Sequence, residues 1–189
     1  MTARWVVDEV VPHRDLDITW QPISLFFKNE PEEDSDYYAA TFNTHRLLRV
    51  AESVRETDGS DGFFRLYWEY GRRIHHDRNR DFTAEEALEA AGLETAHAAA
   101  YDDEARDADI RKRMDIGLEL AGDDIGTPLI GFPNDDGEQV ALFGPVITRV
   151  PTTEQSLRLW DGFTACATVP GFWELKRTRT ERPDFGARP

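Results

Sequence analysis

Apolar positions at the start of the chain recur with helical spacing. Ala3, Val6, Val7, Val10 and Val11 predict a helix over 3–11. No Ser, Thr, Asp or Asn stands upstream of it with a polar turn, so it opens without a capping signal, and Pro12 is expected to end it. From Asp17 to Phe27 the apolar positions Ile18, Trp20, Ile23 and Leu25 predict a strand. Pro22 lies inside that run and cannot donate to a ladder, which makes the strand an edge or a bulged one. An acidic, polar loop over 28–36 follows.

Residues 37–121 read as a block of helices. Leu47, Leu48, Ala51 and Val54 form one apolar stripe, and Phe63, Tyr67, Tyr70 and Ile74 form another. Thr83-Ala84-Glu85-Glu86 has the form of a capping box, and Gly92 offers a stop. Ile110, Met114, Gly117, Leu118 and Ala121 make a last stripe, closed by Gly122. Beyond it, the apolar runs Pro128–Phe132 and Gln139–Phe143 flank Pro133-Asn134-Asp135-Asp136-Gly137, whose Asp-Gly step predicts a β-hairpin. Pro151, Thr152 and Gln155 then open a final helix with Leu157, Trp160, Phe163, Thr164 and Ala167 on its packing face, and Pro170-Gly171 closes it. The charged tail 174–189 is expected on the surface.

The resulting order is helix, strand, helical block, hairpin, helix. It gives an α/β fold of thioredoxin-like (DsbA-type) outline, in which 1–36 and 122–189 form an incomplete domain and 37–121 an inserted helical subdomain. The first strand of such a domain has no counterpart in the chain. That strand is central, so without it buried backbone groups are left unpaired, at about 1–3 kcal/mol each.

Composition narrows the function classes. A length of 189 residues with 40% hydrophobic and 11% aromatic content suits a globular domain with a core. A net charge of −15 argues against nucleic-acid and anionic-membrane partners, which need a basic face. The only cationic cluster is Lys176-Arg177-Thr178-Arg179. No apolar run approaches the ~20 residues of a membrane span. Met1-Thr2-Ala3-Arg4-Trp5 has no apolar h-region, and the single cysteine fits a reducing compartment, so a cytoplasmic protein is expected.

Gly126-Thr127-Pro128 is the sharpest chemical signal. A Thr-Pro pair opening a short apolar strand is how thioredoxin-like folds present a proline, usually cis, beside a redox-active dithiol. No dithiol occurs in the chain. Cys166 lies between Ala165 and Ala167 on a helix, without a His or Cys neighbour in sequence, and reads as a small hydrophobe. Among His13, His45, His75, His76 and His97 no pair has the i, i+4 spacing of a helical metal site, so no metal is expected. Carboxylates are too numerous to single out an acid–base pair. No glycine-rich phosphate loop is present. Phe63, Phe64, Tyr67, Trp68 and Tyr70 read as core aromatics, with an exposed pair able to stack on a flat substrate.

Several strings together resemble a known family: Thr2-Ala3-Arg4-Trp5, Ile23-Ser24-Leu25 with Asn29-Glu30, Arg73-Ile74-His75, Gly126-Thr127-Pro128, Phe143-Gly144-Pro145-Val146, Leu159-Trp160-Asp161, and Phe172 through Glu181. The chain resembles DsbA-like thioredoxin-fold proteins of the mycothiol-dependent nitroreductase group over essentially its whole length. The resemblance implies a thiol–disulfide oxidoreductase that uses mycothiol as thiol co-substrate, acts on a small-molecule or disulfide substrate and holds no bound cofactor. It implies that Thr127, Pro128, Asn29 and His75 contact the thiol or substrate. It also implies a strand and a Cys-Pro-x-Cys-like turn ahead of the opening helix, so the catalytic dithiol is expected upstream of Met1 and the chain as written is expected to be inactive. A thiol-cofactor enzyme of the kappa glutathione transferase or isomerase type, and a redox-inactive binding protein, are the other readings of the same scaffold.

Overall fold

The computed structural model describes Met1–Pro189. It is helix-dominated, with one two-stranded sheet. The chain divides into two compact units, one of Met1–Ile18 with Gly117–Ala187, the other of Thr19–Ile116 with Arg188–Pro189. No helix is long and apolar enough to cross a membrane.

In the first unit, α1 (Thr2–Trp5) runs on through a π-helical turn (Val6–Val10) into a 3₁₀ turn (Val11–His13). Pro12 sits in that closing turn, near its start, where a missing N–H breaks no helical bond. No side chain caps α1, and its first turn closes through the Trp5 N–H to the Met1 carbonyl at 2.9 Å. The hairpin is β1 (Leu129–Pro133) and β2 (Gln139–Phe143), antiparallel, in a register pairing Leu129 with Phe143 and Pro133 with Gln139. Asn134 closes the turn, its Oδ1 accepting from the backbone N–H of Asp136 and Glu138, and Gly137 supplies the positive φ of 80°. The last helix, α6 (Thr153–Ala167), begins with the expected Thr152/Gln155 capping box. Trp5, Val6 and Val10 form the buried heart of this unit, packed by Leu16, Ile18, Ile130, Ile147, Val150, Leu159 and Trp160. The tail from residue 174 lies on the surface without regular structure, with Trp173 and Leu175 86% and 80% exposed.

The second unit contains α2 (Leu25–Asn29), α3 (Asp36–Gly71), a π-helical turn (Arg72–His76) and α4 (Ala84–Ala90). Two 3₁₀ segments (Thr95–Asp102 and Glu104–Arg106) lead into α5 (Asp107–Ala121), which carries the chain back to the first unit. At Gly59, φ 66° and ψ −158° break α3 into two helical stretches, a conformation that glycine adopts without a Cβ penalty. The predicted capping box at Thr83/Glu86 is present, and Gly92 takes the positive φ expected after a helix stop. Leu47, Val50, Ala51, Val54, Phe63, Leu66 and Tyr70 from α3 meet Ala84, Ala87, Leu88 and Leu93 in one continuous core. Each fully buried Leu or Phe there contributes about 1.5–3 kcal/mol.

The strand expected over 17–27 does not form. Residues 14–24 are irregular and 25–29 are helical. Ser24 is the deciding residue: it takes an extended conformation, and its side chain accepts the Phe27 N–H at 3.2 Å, which starts a helix. Trp20 stacks on Phe64 with ring centroids 5.1 Å apart, and its carbonyl accepts from Arg55 Nη2 at 2.8 Å. A backbone bond that a strand would give to a neighbour is thus given to a side chain of α3. The apolar spacing that reads as a strand belongs to an irregular segment in which Ile18 packs in the first unit's core and Trp20 lies against α3.

Candidate functional site

The mouth of the hairpin brings together the residues that the sequence marks most strongly. One step beyond the last ladder pair, the Gly144 N–H donates to the Pro128 carbonyl at 2.8 Å. The Thr127–Pro128 and Gly144–Pro145 peptides are both cis. Gly144 is buried with φ 104°, and a Cβ there would lie 3.3 Å from the Val146 nitrogen, so only glycine suits the position. The next carbonyl, that of Pro145, accepts from Thr2 Oγ1 at 2.8 Å. Two hydrogen bonds therefore link Pro128 to the amino end of the opening helix. Thr127 is exposed and Pro128 half-buried, so this mouth is reachable from solvent.

Cys166 sits half-buried near the end of α6, its carbonyl accepting the Val169 N–H. Asn29 and His75 belong to the other unit. Asn29 is the last residue of α2, ahead of Glu30 in the left-handed region, and its Nδ2 donates to Tyr37 Oη at 2.7 Å. His75 lies in the turn that ends α3. Its surface is largely exposed, yet enough of the chain crowds the ring for desolvation to lower its pKa, and the charges of His76 and Arg80 push the same way.

Sequence reasoning missed a second constellation, wholly inside the helical unit. His45 is 1% exposed, and it bridges Ser24 Oγ, 3.0 Å from Nδ1, and Asp107 Oδ1, 3.0 Å from Nε2. Arg49 grips the same carboxylate with both arms, at 2.6 and 2.7 Å. Burial lowers the His45 pKa; Asp107 opposes that shift, and Arg49 and Arg111 reinforce it. Burial pulls Asp107 upward, but the hydrogen bonds from Arg49 and the adjoining positive charges bring it below its ordinary value. Ser24 is 1% exposed, so this Ser–His–Asp chain is closed to a substrate. The sequence carries a trace of it, since His45 and Arg49 share one face of α3 at i, i+4.

The same unit holds Glu52, 3% exposed, between Arg55 and Arg113, with Arg113 Nε 2.8 Å from its carboxylate. A shallow cavity of about 250 Å³ opens there, lined by Glu52, Arg55, Glu56, Asp109 and Arg113. Every residue lining it is charged, and both signs are present, unlike the apolar clefts that hold most small ligands.

A family model described as Rv2466c-like, mycothiol-dependent nitroreductase Rv2466c, matches residues 1–177. The match takes in the opening helix, the helical unit, the hairpin and α6. The chain belongs to this family.

Proposed function

From membership of that family, we propose that this chain is the scaffold of a mycothiol-dependent reductase, nitroreductase-like, working by thiol–disulfide chemistry on a DsbA-like thioredoxin fold. In this reading Thr127 and Pro128 face a reacting dithiol, supplied by a Cys-Pro-x-Cys-like turn that leads into the opening helix upstream of Met1. The helical unit is then an insertion, Asn29 and His75 contact thiol or substrate, and the protein works in the cytoplasm. The family match carries the reading. The path from Pro128 through Gly144 and Pro145 to Thr2 supports it, because two hydrogen bonds tie the proline's segment to the helix head.

The chemistry follows from that placement. Free amides and the positive end of the dipole at a helix start favour a thiolate over a thiol. Two mycothiol thiols become one disulfide by successive exchange with the protein disulfide, which takes up their two electrons and two protons and becomes the dithiol; the dithiol then closes back to the disulfide and passes that pair to the acceptor. A nitro group taking up that pair becomes a nitroso group and water. In this reading the backbone of Thr127, an exposed residue, holds the incoming thiol beside the proline.

The test is a longer chain that includes an in-frame Cys-Pro-x-Cys-like turn ahead of Met1. It is expected to oxidise mycothiol with a nitroaromatic acceptor, and the 189-residue chain is expected not to. Thr127→Pro, which alters the backbone at the mouth, should lower the longer protein's kcat/KM at least tenfold. Equal turnover by both chains, or none by either, sinks the reading.

A further inference from the structure

We propose that Ser24, His45, Asp107 and Arg49 form a buried, proton-responsive relay that fixes the start of α2 and thereby positions Asn29. Asn29 is the residue assigned above to thiol contact, and the consequence for thiol binding rests on that assignment; the relay itself does not.

The proton positions follow from the donor inventory. An ionised Asp107 only accepts, so His45 Nε2 carries the proton it donates. In a neutral ring Nδ1 then accepts, and Ser24 Oγ–H is its donor. That direction leaves the Ser24 oxygen lone pairs for the Phe27 N–H, which they cap at 3.2 Å. Every polar atom along the line is paired in one orientation. A proton added at Nδ1 reverses the first bond: Nδ1–H now points at Oγ, which accepts it beside the Phe27 N–H, and the Ser24 O–H loses the acceptor it had. The serine hydrogen must turn away inside a site where Ser24 and His45 are each 1% exposed. An unpaired donor so placed destabilises the site.

The surroundings favour the neutral ring. Phe26, Phe27 and Phe42 pack around His45 with centroids 5.5, 4.2 and 6.5 Å away, which strips water from it. Arg49 from α3 and Arg111 from α5 bring positive charge, and Asp107 from α5 is the opposing anion, already shared with Arg49. Glu104 and Asp103 act on Arg49 from the segment ahead of α5. Arg111 also lies over the Phe27 ring, 3.6 Å from its centroid, so the same helix that holds Asp107 clamps α2 from its side. The cap residue starts a helix of only five residues, Leu25–Asn29, so loosening its first turn moves its last residue.

The experiment is proton exchange at the Phe27 amide of the 189-residue chain, followed by NMR from pH 8 to pH 5 beside the His45 ring resonances. After correction for the intrinsic pH dependence of exchange, Phe27 protection should fall about fivefold, the scale of one unpaired buried hydroxyl at the cap, with the midpoint of the His45 titration. His45→Gln should abolish that step. Ser24→Ala should leave His45 titrating while Phe27 is poorly protected at every pH. Asn29→Ala should leave the step intact, so a failed thiol assignment is distinguishable from a failed relay. Phe27 protection that ignores the His45 titration, a His45 that does not titrate in this range, or a step that survives in His45→Gln overturns the proposal.

Discussion

The two units solve the problem of stability differently. Of the buried apolar side chains, Trp5, Val6 and Val10 are the only ones in the unit of Met1–Ile18 and Gly117–Ala187, and the rest, from Leu47 to Met114, belong to the helical unit. The helical unit also pairs its inner carboxylates, the buried Glu52 with two arginines and the half-buried Asp107 with Arg49 and His45. The unit that carries the proline mouth has mostly half-buried aliphatic contacts around one tryptophan. Reactive segments are drawn from the less stable end of a molecule, because they must open to a substrate. The larger core and the proline mouth accordingly lie in different units.

The sharpest way to break that comparison is a pair of core truncations. Trp5→Ala removes the side chain at the centre of the smaller core and should cost about 3–5 kcal/mol, read as early loss of amide protection in β1 and β2 while α3 remains protected. Leu66→Ala, from a side chain with no exposure, should cost about 2–5 kcal/mol and show the reverse pattern in urea titration followed by exchange. If both variants unfold the two units together, the molecule has one cooperative core and the contrast fails.

Acid should weaken the helical unit next. The His45 pKa is depressed on folding, so its contribution is complete above the ordinary imidazole value, about 6.5, and is lost as pH falls from there through the folded value. His75 shifts in the same direction and adds the same sign. Asp107, also depressed, holds its contribution until pH falls below the ordinary carboxylate range. Urea midpoints should therefore drop between pH 6.5 and 5, with a smaller drop in His45→Gln; a flat profile refutes this.

The smallest effect compares matched caps. Thr83→Ala and Thr152→Ala each remove a capping box, from α4 in one unit and α6 in the other, and each should cost about 1 kcal/mol. The first should leave hairpin exchange unchanged and the second should raise it. Equal effects in both units would again argue for a single cooperative block.

Much of this architecture was legible because its causes are local. The capping boxes at Thr83/Glu86 and Thr152/Gln155, the Asn134–Gly137 turn and the helix stop at Gly92 each rest on residues within five positions of one another. The Thr127–Pro128 pair was also readable as a strand-opening motif, and the family resemblance extended over the residues the family model matches. The misread segment, 17–27, shows where this stops. Its apolar spacing suits a strand, but Ser24 and the α3 residues Arg55 and Phe64 redirect it into an irregular segment and a short helix. A pattern records which residues are apolar; it does not record what they lie against.

The sequence alone determined the helical block, the hairpin, the places where helices begin and stop, and the absence of a second cysteine to pair with Cys166. Only the tertiary structure decided that Thr2 meets the Pro145 carbonyl, that Asp107 closes on His45 and Arg49 from 62 and 58 positions away, and that residues 14–24 form no strand. The division has a physical cause. Caps and turns are set by backbone groups a few residues apart, whereas a buried ion or an irregular segment finds its partner only when the packed core brings distant residues within hydrogen-bond reach.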